Sequence, residues 1–284
     1  ALEMAEGLTL VHGSRHTAAE YSVHAQFFRA CNASWLVAHS DLLLSTSNAS
    51  LDTSNLARVL AEYPHRRKAL VPIEKNSGRR CGHLQAIQEL ERLWKEYRFV
   101  LFLHPDVYIL PRGFATIGAA IRKARDEAAF IVTPFGYKGQ SPNRWKALRM
   151  YNTDCFVFFP SALRIRSSVM EKGTPSRTTR NDMWTSTCYA DPSEAPERSL
   201  YQLAHAARAF SDQPAPRLQR SMAIPSSQPI VLQPLRWAGN RRPDMVGLWH
   251  THNLKEAQEH LKLSKRRHPF DICRASGSDA LRHQ

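Results

Sequence analysis

A histidine and an aspartate, His104 and Asp106, directly follow a short and continuous apolar run. The run at 99–103 has the length of a strand and no polar position, which predicts a strand buried on both faces. Pro105 cannot donate to a sheet ladder, so we expect the strand to end there. Open α/β sheets bind their ligands at the carboxyl ends of such strands. Because a second apolar group follows, Asp106 will be desolvated and needs a cation or donors nearby.

A second chemically suggestive pattern is the His-x-His pair formed by His250 and His252. Residues at i and i+2 of an extended segment point to the same side, so both imidazoles can face one site. The chain has 13 histidines, however, and such pairs also arise by chance. Structural alternatives exist for the earlier residues too. His104 could bond a backbone carbonyl at a strand end, and Asp106 could be a turn or helix-capping residue.

Charge and composition restrict the class of protein. The 284 residues carry a formal net charge of +14, with 43% hydrophobic and 23% charged residues, as in a soluble globular protein. No apolar run approaches the ~20 residues of a membrane helix, so we expect no transmembrane segment and no signal peptide. The positive charge favours an anionic partner: nucleotide phosphates, acidic polysaccharide, nucleic acid, an anionic membrane surface or an acidic subunit.

The cysteines give little evidence of a metal site. Five are scattered along the chain, and they are Cys31, Cys81, Cys155, Cys188 and Cys273. No CxxC pair occurs, so a structural zinc site is not expected, and the odd count leaves at least one thiol unpaired in a monomer. Two N-x-S sequons, at Asn32 and Asn48, would permit glycosylation in a secretory compartment.

Strand-like and helix-like segments alternate through the first half of the chain, which is typical of a mostly parallel sheet with right-handed crossovers. The predicted strands cover 8–12, 35–39, 69–73, 99–103, 130–134 and 153–160, and the predicted helices cover 18–30, 55–63, 84–97, 113–129, 196–210 and 254–263. Pro72 favours an edge position for the third strand. The segment 164–191, rich in Arg, Ser and Thr, is predicted to be a long functional loop. We expect one α/β domain.

The order of elements and the His104-Pro105-Asp106 triplet, followed by Val107-Tyr108, resemble GT-A type nucleotide-sugar glycosyltransferases. Members of this family carry an Asp-x-Asp triplet after a buried strand, and many have a metal-binding histidine near the C-terminus. The resemblance implies a single Rossmann-related GT-A domain at 1–264, with a nucleotide-binding half at 1–136, an acceptor half at 137–264 and a basic polar tail at 265–284. It also implies a divalent metal, Mn²⁺ or Mg²⁺. The implied ligands are His104, Asp106, His250 and His252, with His104 in place of the usual first Asp.

The resemblance also implies positions for the other site residues. Nucleotide-binding residues are expected after the first three strands, and they are His12, Ser14, Arg15, Asp41, Lys75, Asn76, Arg79 and Arg80. Lys and Arg side chains match the charge and geometry of phosphates. The candidates for a general base acting on the acceptor hydroxyl are Asp182, Glu194 and Glu197. Carboxylates at helix starts are also ordinary capping residues, which is the alternative for all three.

Two functions from different classes follow from the sequence. The first is a glycosyltransferase that moves a sugar from a nucleotide-sugar, expected to be a UDP-sugar, to a glycan, protein or lipid hydroxyl. The second is a GT-A-like domain without catalysis that serves as a structural subunit of a larger assembly, for which the positive charge favours an acidic partner subunit. Specific nucleic-acid binding is not expected, because charge is its only support. The expected location is the lumen of the secretory pathway, in the Golgi, with an organelle matrix as the alternative.

Overall fold

The computed structural model describes residues 5–31, 33–73, 86–87, 89–124, 130–133, 151–161, 200, 230–231, 237–238, 247–265 and 273. The strands are β1 (Gly7–Gly13), β2 (Ser40–Thr46), β3 (Lys68–Pro72), β4 (Phe99–Leu103), β5 (Val107–Ile109), β6 (Phe130–Val132), β7 (Cys155–Phe158), β8 (Ile230–Val231), β9 (Trp237–Ala238) and β10 (Leu248–His250). The helices are α1 (Ala18–Ala30), α2 (Ser34–His39), α3 (Thr53–Glu62), α4 (Glu91–Trp94), α5 (Pro111–Lys123) and α6 (Leu254–Lys265).

The main sheet has seven strands in the order β3-β2-β1-β4-β7-β6-β8. The pairs β3–β2, β2–β1, β1–β4 and β6–β8 are parallel, whereas β7 is antiparallel to both β4 and β6. The predicted α/β fold with a mostly parallel sheet is therefore confirmed. β3 lies at the edge of the sheet, as Pro72 predicted, because proline cannot donate to a further ladder.

Strand β4 occupies the middle of the sheet and is buried on both faces, as predicted. Phe99, Leu101 and Leu103 pack into one hydrophobic cluster, and Val100 and Phe102 pack into the cluster on the opposite face. Alternation of side chains along a strand explains this division. The strand places its carboxyl end, and the residues that follow, beside the end of β1.

Helix α1 matches the prediction of a helix over 18–30. Thr17 and Glu20 form a capping box, in which each side chain meets the backbone N–H of the other. The buried side of α1 packs against the sheet and also against α6, where Phe27 contributes to a third cluster with Trp249 and Leu261. A disulfide joins Cys31 at the end of this helix to Cys273.

The prediction for the second strand was wrong. Residues 35–39 lie in α2, and the strand is formed by the following residues, Ser40–Thr46. Both segments contain short apolar runs, and periodicity cannot separate a short buried strand from a buried helical turn. The hydroxyl of Ser40 donates to the carbonyl of Leu36 at 2.7 Å and so marks where the helix ends and the strand begins.

A small second sheet lies next to the carboxyl end of β4. Its order is β5-β10-β9, and β10 runs antiparallel to β5. Helix α5 begins close to this sheet, and the carbonyl of Gly247, which precedes β10, accepts a hydrogen bond from the N–H of Leu110 at 3.0 Å. The sheet therefore carries a segment from near the C-terminus to the residues that follow β4.

None of the helices in the described part of the chain has the length and hydropathy that crossing a bilayer requires. The loop predicted at 164–191 lies outside the described residues, and so does the helix predicted at 196–210 except for Leu200. The division into a nucleotide-binding half and an acceptor half stays a prediction.

Candidate metal and nucleotide site

Backbone hydrogen bonds hold three segments together around the end of β4. The N–H of His104 donates to the carbonyl of Asp154 at 2.9 Å, just before β7. The N–H of Thr251 donates to the carbonyl of Asp106 at 3.3 Å and extends the pairing of β10 with β5 by one residue. Val107 donates back to the carbonyl of His104 at 3.1 Å and closes the turn at Pro105. These bonds fix the positions of the side chains before any ligand binds.

The carboxylate of Asp106 meets both histidines of the His-x-His pair. Nε2 of His250 lies 3.0 Å from Oδ2, and Nδ1 of His252 lies 2.7 Å from the same oxygen. Trp249, which directly precedes His250, is fully buried in the third hydrophobic cluster and anchors β10, and Thr251, between the two histidines, is also buried. Because alternate side chains of an extended segment point to opposite sides, burial of Trp249 directs His250 and His252 toward the carboxylate.

A third histidine, His16, also faces Asp106, and sequence reasoning did not find it. Its Nε2 lies 3.3 Å from Oδ1 of Asp106, the oxygen that the other two imidazoles do not contact. His16 sits in the bend after β1 and immediately before Thr17, which caps α1. Its position after the first strand was the one available signal, but a single loop histidine has no periodicity to mark it.

Asp154 is a second carboxylate at the site that sequence reasoning missed. Its Oδ1 lies 3.4 Å from Nδ1 of His104, and its Oδ2 lies 3.9 Å from Nδ1 of His250. His250 thus lies between two carboxylates, with one ring nitrogen toward each. Asp154 directly precedes β7. Because β7 runs antiparallel to β4, the start of β7 lies beside the carboxyl end of β4, and Asp154 therefore lies close to His104.

The protonation of the site follows from burial and from these contacts. Burial alone would raise the pKa of Asp106, but the imidazoles of His16, His250 and His252 outweigh burial and hold this pKa well below its usual range. The contact with Asp106 raises the pKa of His252. Burial lowers the pKa of His104 to about 3, so this ring is neutral near pH 7. The site therefore combines an ionised carboxylate with the neutral imidazole of His104, and both are metal-ligating groups.

Two overlapping groups of side chains have the composition and spacing of a metal site. The first consists of Asp106, His250 and His252, and the second of His16, His104 and Asp106. Within each group, the candidate ligand atoms all lie within 4.8 Å of one another. Carboxylate with imidazole suits Mn²⁺, Fe²⁺ or Zn²⁺ better than Mg²⁺, which prefers oxygen ligands. The residues present therefore fit a divalent transition metal.

Three of the predicted nucleotide-binding residues lie at the carboxyl end of β1, which is next to the carboxyl end of β4 and therefore on the same side of the sheet as Asp106. His12 is fully buried, with Nδ1 3.2 Å from the hydroxyl of Ser45. Ser14 is half-buried and Arg15 is exposed in the bend that leads to His16. Because β2 was predicted in the wrong place, sequence reasoning missed Ser45 and its neighbours at the end of that strand.

Asp41 lies elsewhere. It is the second residue of β2, near the amino end of the strand, and not at its carboxyl end as expected. Its carboxylate accepts from the hydroxyl of Tyr97 at 2.7 Å and pairs with Arg67 at 2.8 Å. At roughly 3.3 Å per residue, about 15 Å of strand separate it from the end of β2. The structure therefore assigns Asp41 to an ion pair at the amino end of β2, whereas Asp106 lies beyond the carboxyl end of β4.

The remaining predicted site residues lie outside the described residues. They are Lys75, Asn76, Arg79 and Arg80 for the nucleotide, and Asp182, Glu194 and Glu197 for catalysis.

No protein-family model matches the sequence, and no curated protein matches it. Solved structures do resemble it. WbbM, a bifunctional glycosyltransferase, has a TM-score of 0.52 and 7% identity over 95% of this chain and 51% of its own, so this chain spans about half of it. The galactosyltransferase LgtC, solved with donor and acceptor sugar analogs, has a TM-score of 0.50 and 12% identity over 91% of this chain and 95% of its own.

A mannosyltransferase, PcManGT from Pyrobaculum calidifontis, was solved with GDP-Man and Mn²⁺. It has a TM-score of 0.42 and 11% identity over 73% of this chain and 72% of its own. Similarity at these identities establishes the fold and nothing finer. The chain has the fold of GT-A-type glycosyltransferases.

Proposed function

We propose that this chain is a metal-dependent glycosyltransferase that moves a sugar from a nucleotide-sugar, a UDP-sugar in the first instance, to a hydroxyl acceptor. The observation that carries the proposal is the meeting of Asp106 with His250 and His252 at the carboxyl end of β4. In open α/β sheets this edge is where ligands bind. A buried carboxylate and two imidazoles there form a donor set that a purely structural role does not require.

The proposed ligands of the metal are Asp106, His250 and His252, with His104 nearby. When bound, Mn²⁺ would supply Lewis-acid neutralisation of the charge that builds on the leaving diphosphate. The protein holds the carboxylate ionised and presents His252 to solvent, with its side chain 80% exposed. The ligand set is therefore accessible from solvent at His252.

The nucleotide is proposed to lie along the ends of β1 and β2. Ser14 and the exposed guanidinium of Arg15 occupy the bend between β1 and His16, where they are available to phosphate oxygens. Lys75, Asn76, Arg79 and Arg80 are proposed to add phosphate contacts. Asp182, Glu194 and Glu197 stay proposed as candidates for the base that accepts the acceptor proton.

The alternative, a structural subunit without catalysis, is not favoured. Asp106 is 2% exposed, and burying an ionised carboxylate costs free energy that a structural role would avoid with an apolar residue. Three histidines from two separate segments of the chain contact it. Such an arrangement is typical of a functional site, where perturbed pKa values cluster.

Titration calorimetry with UDP in the presence and absence of Mn²⁺ tests the proposal. We expect UDP to bind tightly only with Mn²⁺, and Asp106→Asn to weaken this binding by about 100-fold, or about 2.7 kcal/mol. Glu96→Gln removes an exposed carboxylate in the turn before the amino end of β4 and should leave binding unchanged. Binding of UDP that is indifferent to both Mn²⁺ and Asp106→Asn would contradict the proposal.

We propose the lumen of the secretory pathway as the location. The disulfide between Cys31 and Cys273 supports this, because disulfides persist in oxidising compartments and are rare in reducing ones. Alkylation of free thiols in intact cells, followed by mass analysis, tests it. Recovery of Cys31 in the alkylated form from cells would contradict a lumenal location.

A further inference from the structure

Asp106 presents its two carboxylate oxygens to different sets of imidazoles. Oδ2 faces His250 at 3.0 Å and His252 at 2.7 Å, whereas Oδ1 faces His16 at 3.3 Å. The two groups of candidate ligands therefore share one residue, Asp106, and contact different oxygens of it. A single cation bound by Oδ2, His250 and His252 makes no use of His16.

The local structure holds His16 in place. Its carbonyl accepts a hydrogen bond from Nδ2 of Asn48 at 3.3 Å, and the next residue, Thr17, is fixed by the capping box of α1. A side chain at Gly13 would approach Nδ1 of His16 to 2.6 Å and the hydroxyl of Tyr21 to 2.7 Å. A glycine at this position therefore allows the imidazole to lie over the end of β1.

His104 completes the set on this side. The rings of His16 and His104 meet edge to face with their centroids 5.8 Å apart. Both side chains are mostly buried, with 13% exposure for His16 and 16% for His104. A cation bound between them would therefore be partly shielded from solvent. Two imidazoles and a carboxylate oxygen are the same donor types as in the first group.

We propose that this site holds two divalent cations, with Asp106 bridging them: one cation on Oδ2, His250 and His252, and the other on Oδ1, His16 and His104. This inference rests on the proposed function and names a second binding position within the same site. Paired divalent cations recur in enzymes that act on phosphate esters, where they bind the two sides of the reacting group.

The charges of the site leave room for two cations. Asp106 and Asp154 are two carboxylates, and the diphosphate of a nucleotide-sugar brings about two more negative charges. One divalent cation would offset the carboxylates, and a second would act on the diphosphate together with the basic side chains proposed above. In a partly buried site, such charge interactions are poorly screened by water.

Counting bound Mn²⁺ tests the proposal without measuring activity. The chelator-treated protein is dialysed against Mn²⁺ with saturating UDP, and the bound metal is measured by mass spectrometry and by electron paramagnetic resonance. We expect two Mn²⁺ per chain with an exchange-coupled spectrum. His16→Ala should reduce the count to one and give the six-line spectrum of an isolated ion.

A matched control is His39→Ala, since His39 lies at the end of α2, at the amino edge of the sheet, and should keep two ions. His104→Ala should behave as His16→Ala does, which guards against a folding defect specific to one variant. One Mn²⁺ per chain in the wild type, unchanged by His16→Ala, would overturn the second position and leave the proposed function standing. No Mn²⁺ in the presence of UDP would overturn both.

Discussion

Nε2 of His250 lies 3.0 Å from Oδ2 of Asp106, although 144 positions separate the two residues in the sequence. The other nitrogen of the same ring, Nδ1, lies 3.9 Å from Oδ2 of Asp154. The imidazole is thus oriented by carboxylates on both sides. In metal sites, a carboxylate behind a ligating histidine fixes the orientation of the ring and raises its basicity.

We therefore expect Asp154→Asn to weaken Mn²⁺ binding by about 10- to 100-fold. The change removes a charge but keeps the size of the side chain, and the backbone bond from His104 to the carbonyl of Asp154 is retained. Calorimetric titration of Mn²⁺ in the presence of UDP measures the effect. Glu96→Gln is again the control, and equal affinities of the two variants would contradict a role for Asp154 in orienting His250.

A second prediction concerns stability in acid. His65 is 2% exposed, neither ring nitrogen has a hydrogen-bond partner, and its nearest rings are those of Phe28 and Tyr63. Burial, with a smaller effect of Lys68, lowers its pKa from 6.5 to about 3. The unfolded chain therefore takes up this proton as the pH falls below about 6.5, whereas the folded chain does so only near pH 3. The free energy of unfolding falls across this window.

His65→Phe should remove this contribution. We expect the dependence of unfolding free energy on pH to be shallower by about 1.4 kcal/mol per pH unit than in the wild type between about pH 6 and pH 4. Urea denaturation at several pH values measures the slope. Parallel slopes for the two proteins would show that His65 is protonated equally in the folded and unfolded states.

The sequence predicted the parts of the site that lie in a strand or directly beside one. The apolar run of β4 and the proline after it located Asp106 at the end of a central strand, and alternation along β10 predicted that His250 and His252 face one side. Both predictions depend on a local pattern: an apolar run that a proline ends at β4, and the spacing of i and i+2 for the two histidines. The structure brings these three residues together.

The residues that sequence reasoning missed lie in loops or depend on distant pairing. His16 and Asp154 lie outside the regular elements, just before α1 and β7, where no period marks the side that faces the site. The pairing of Cys31 with Cys273 joins segments far apart in sequence, and spacing alone does not determine such pairing. Asp41 was assigned to the site because β2 was predicted several residues too early. The prediction put Asp41 after the carboxyl end of that strand, whereas it lies near the amino end.

A third prediction concerns the disulfide. It closes a sequence separation of 242 residues and connects the end of α1 to the segment beyond α6. Because cross-linking restricts the unfolded chain, Cys31→Ala should lower the free energy of unfolding by about 2 to 5 kcal/mol under oxidising conditions. Dithiothreitol should lower the stability of the wild type to a similar extent and have little effect on the variant.

Urea denaturation with and without dithiothreitol measures both effects. Cys155→Ala is the control, because it removes a buried thiol that lies outside this disulfide and should leave the response to dithiothreitol intact. A response to dithiothreitol that is as large in Cys31→Ala as in the wild type would assign the effect to other cysteines.

The last prediction links the packing of α5 to the metal site. Gly113 lies in the first turn of α5, and a Cβ at this position would collide with the carbonyl oxygen of Gly247, directly before β10. Gly113→Ala should therefore displace β10, move His250 away from Asp106 and weaken Mn²⁺ binding. We expect a loss of about 1 to 3 kcal/mol in stability from the overlap.

Gly118→Ala in the same helix separates this effect from helix propensity. Both substitutions favour a helix by up to about 1 kcal/mol. A Cβ at Gly118 meets the Trp35 ring at 3.1 Å, and this half-buried side chain can move, whereas the backbone at Gly247 cannot move without shifting β10. Thermal denaturation and Mn²⁺ titration of the two variants make the comparison. If Gly113→Ala binds Mn²⁺ as tightly as Gly118→Ala does, the position of β10 does not control the contact between His250 and Asp106.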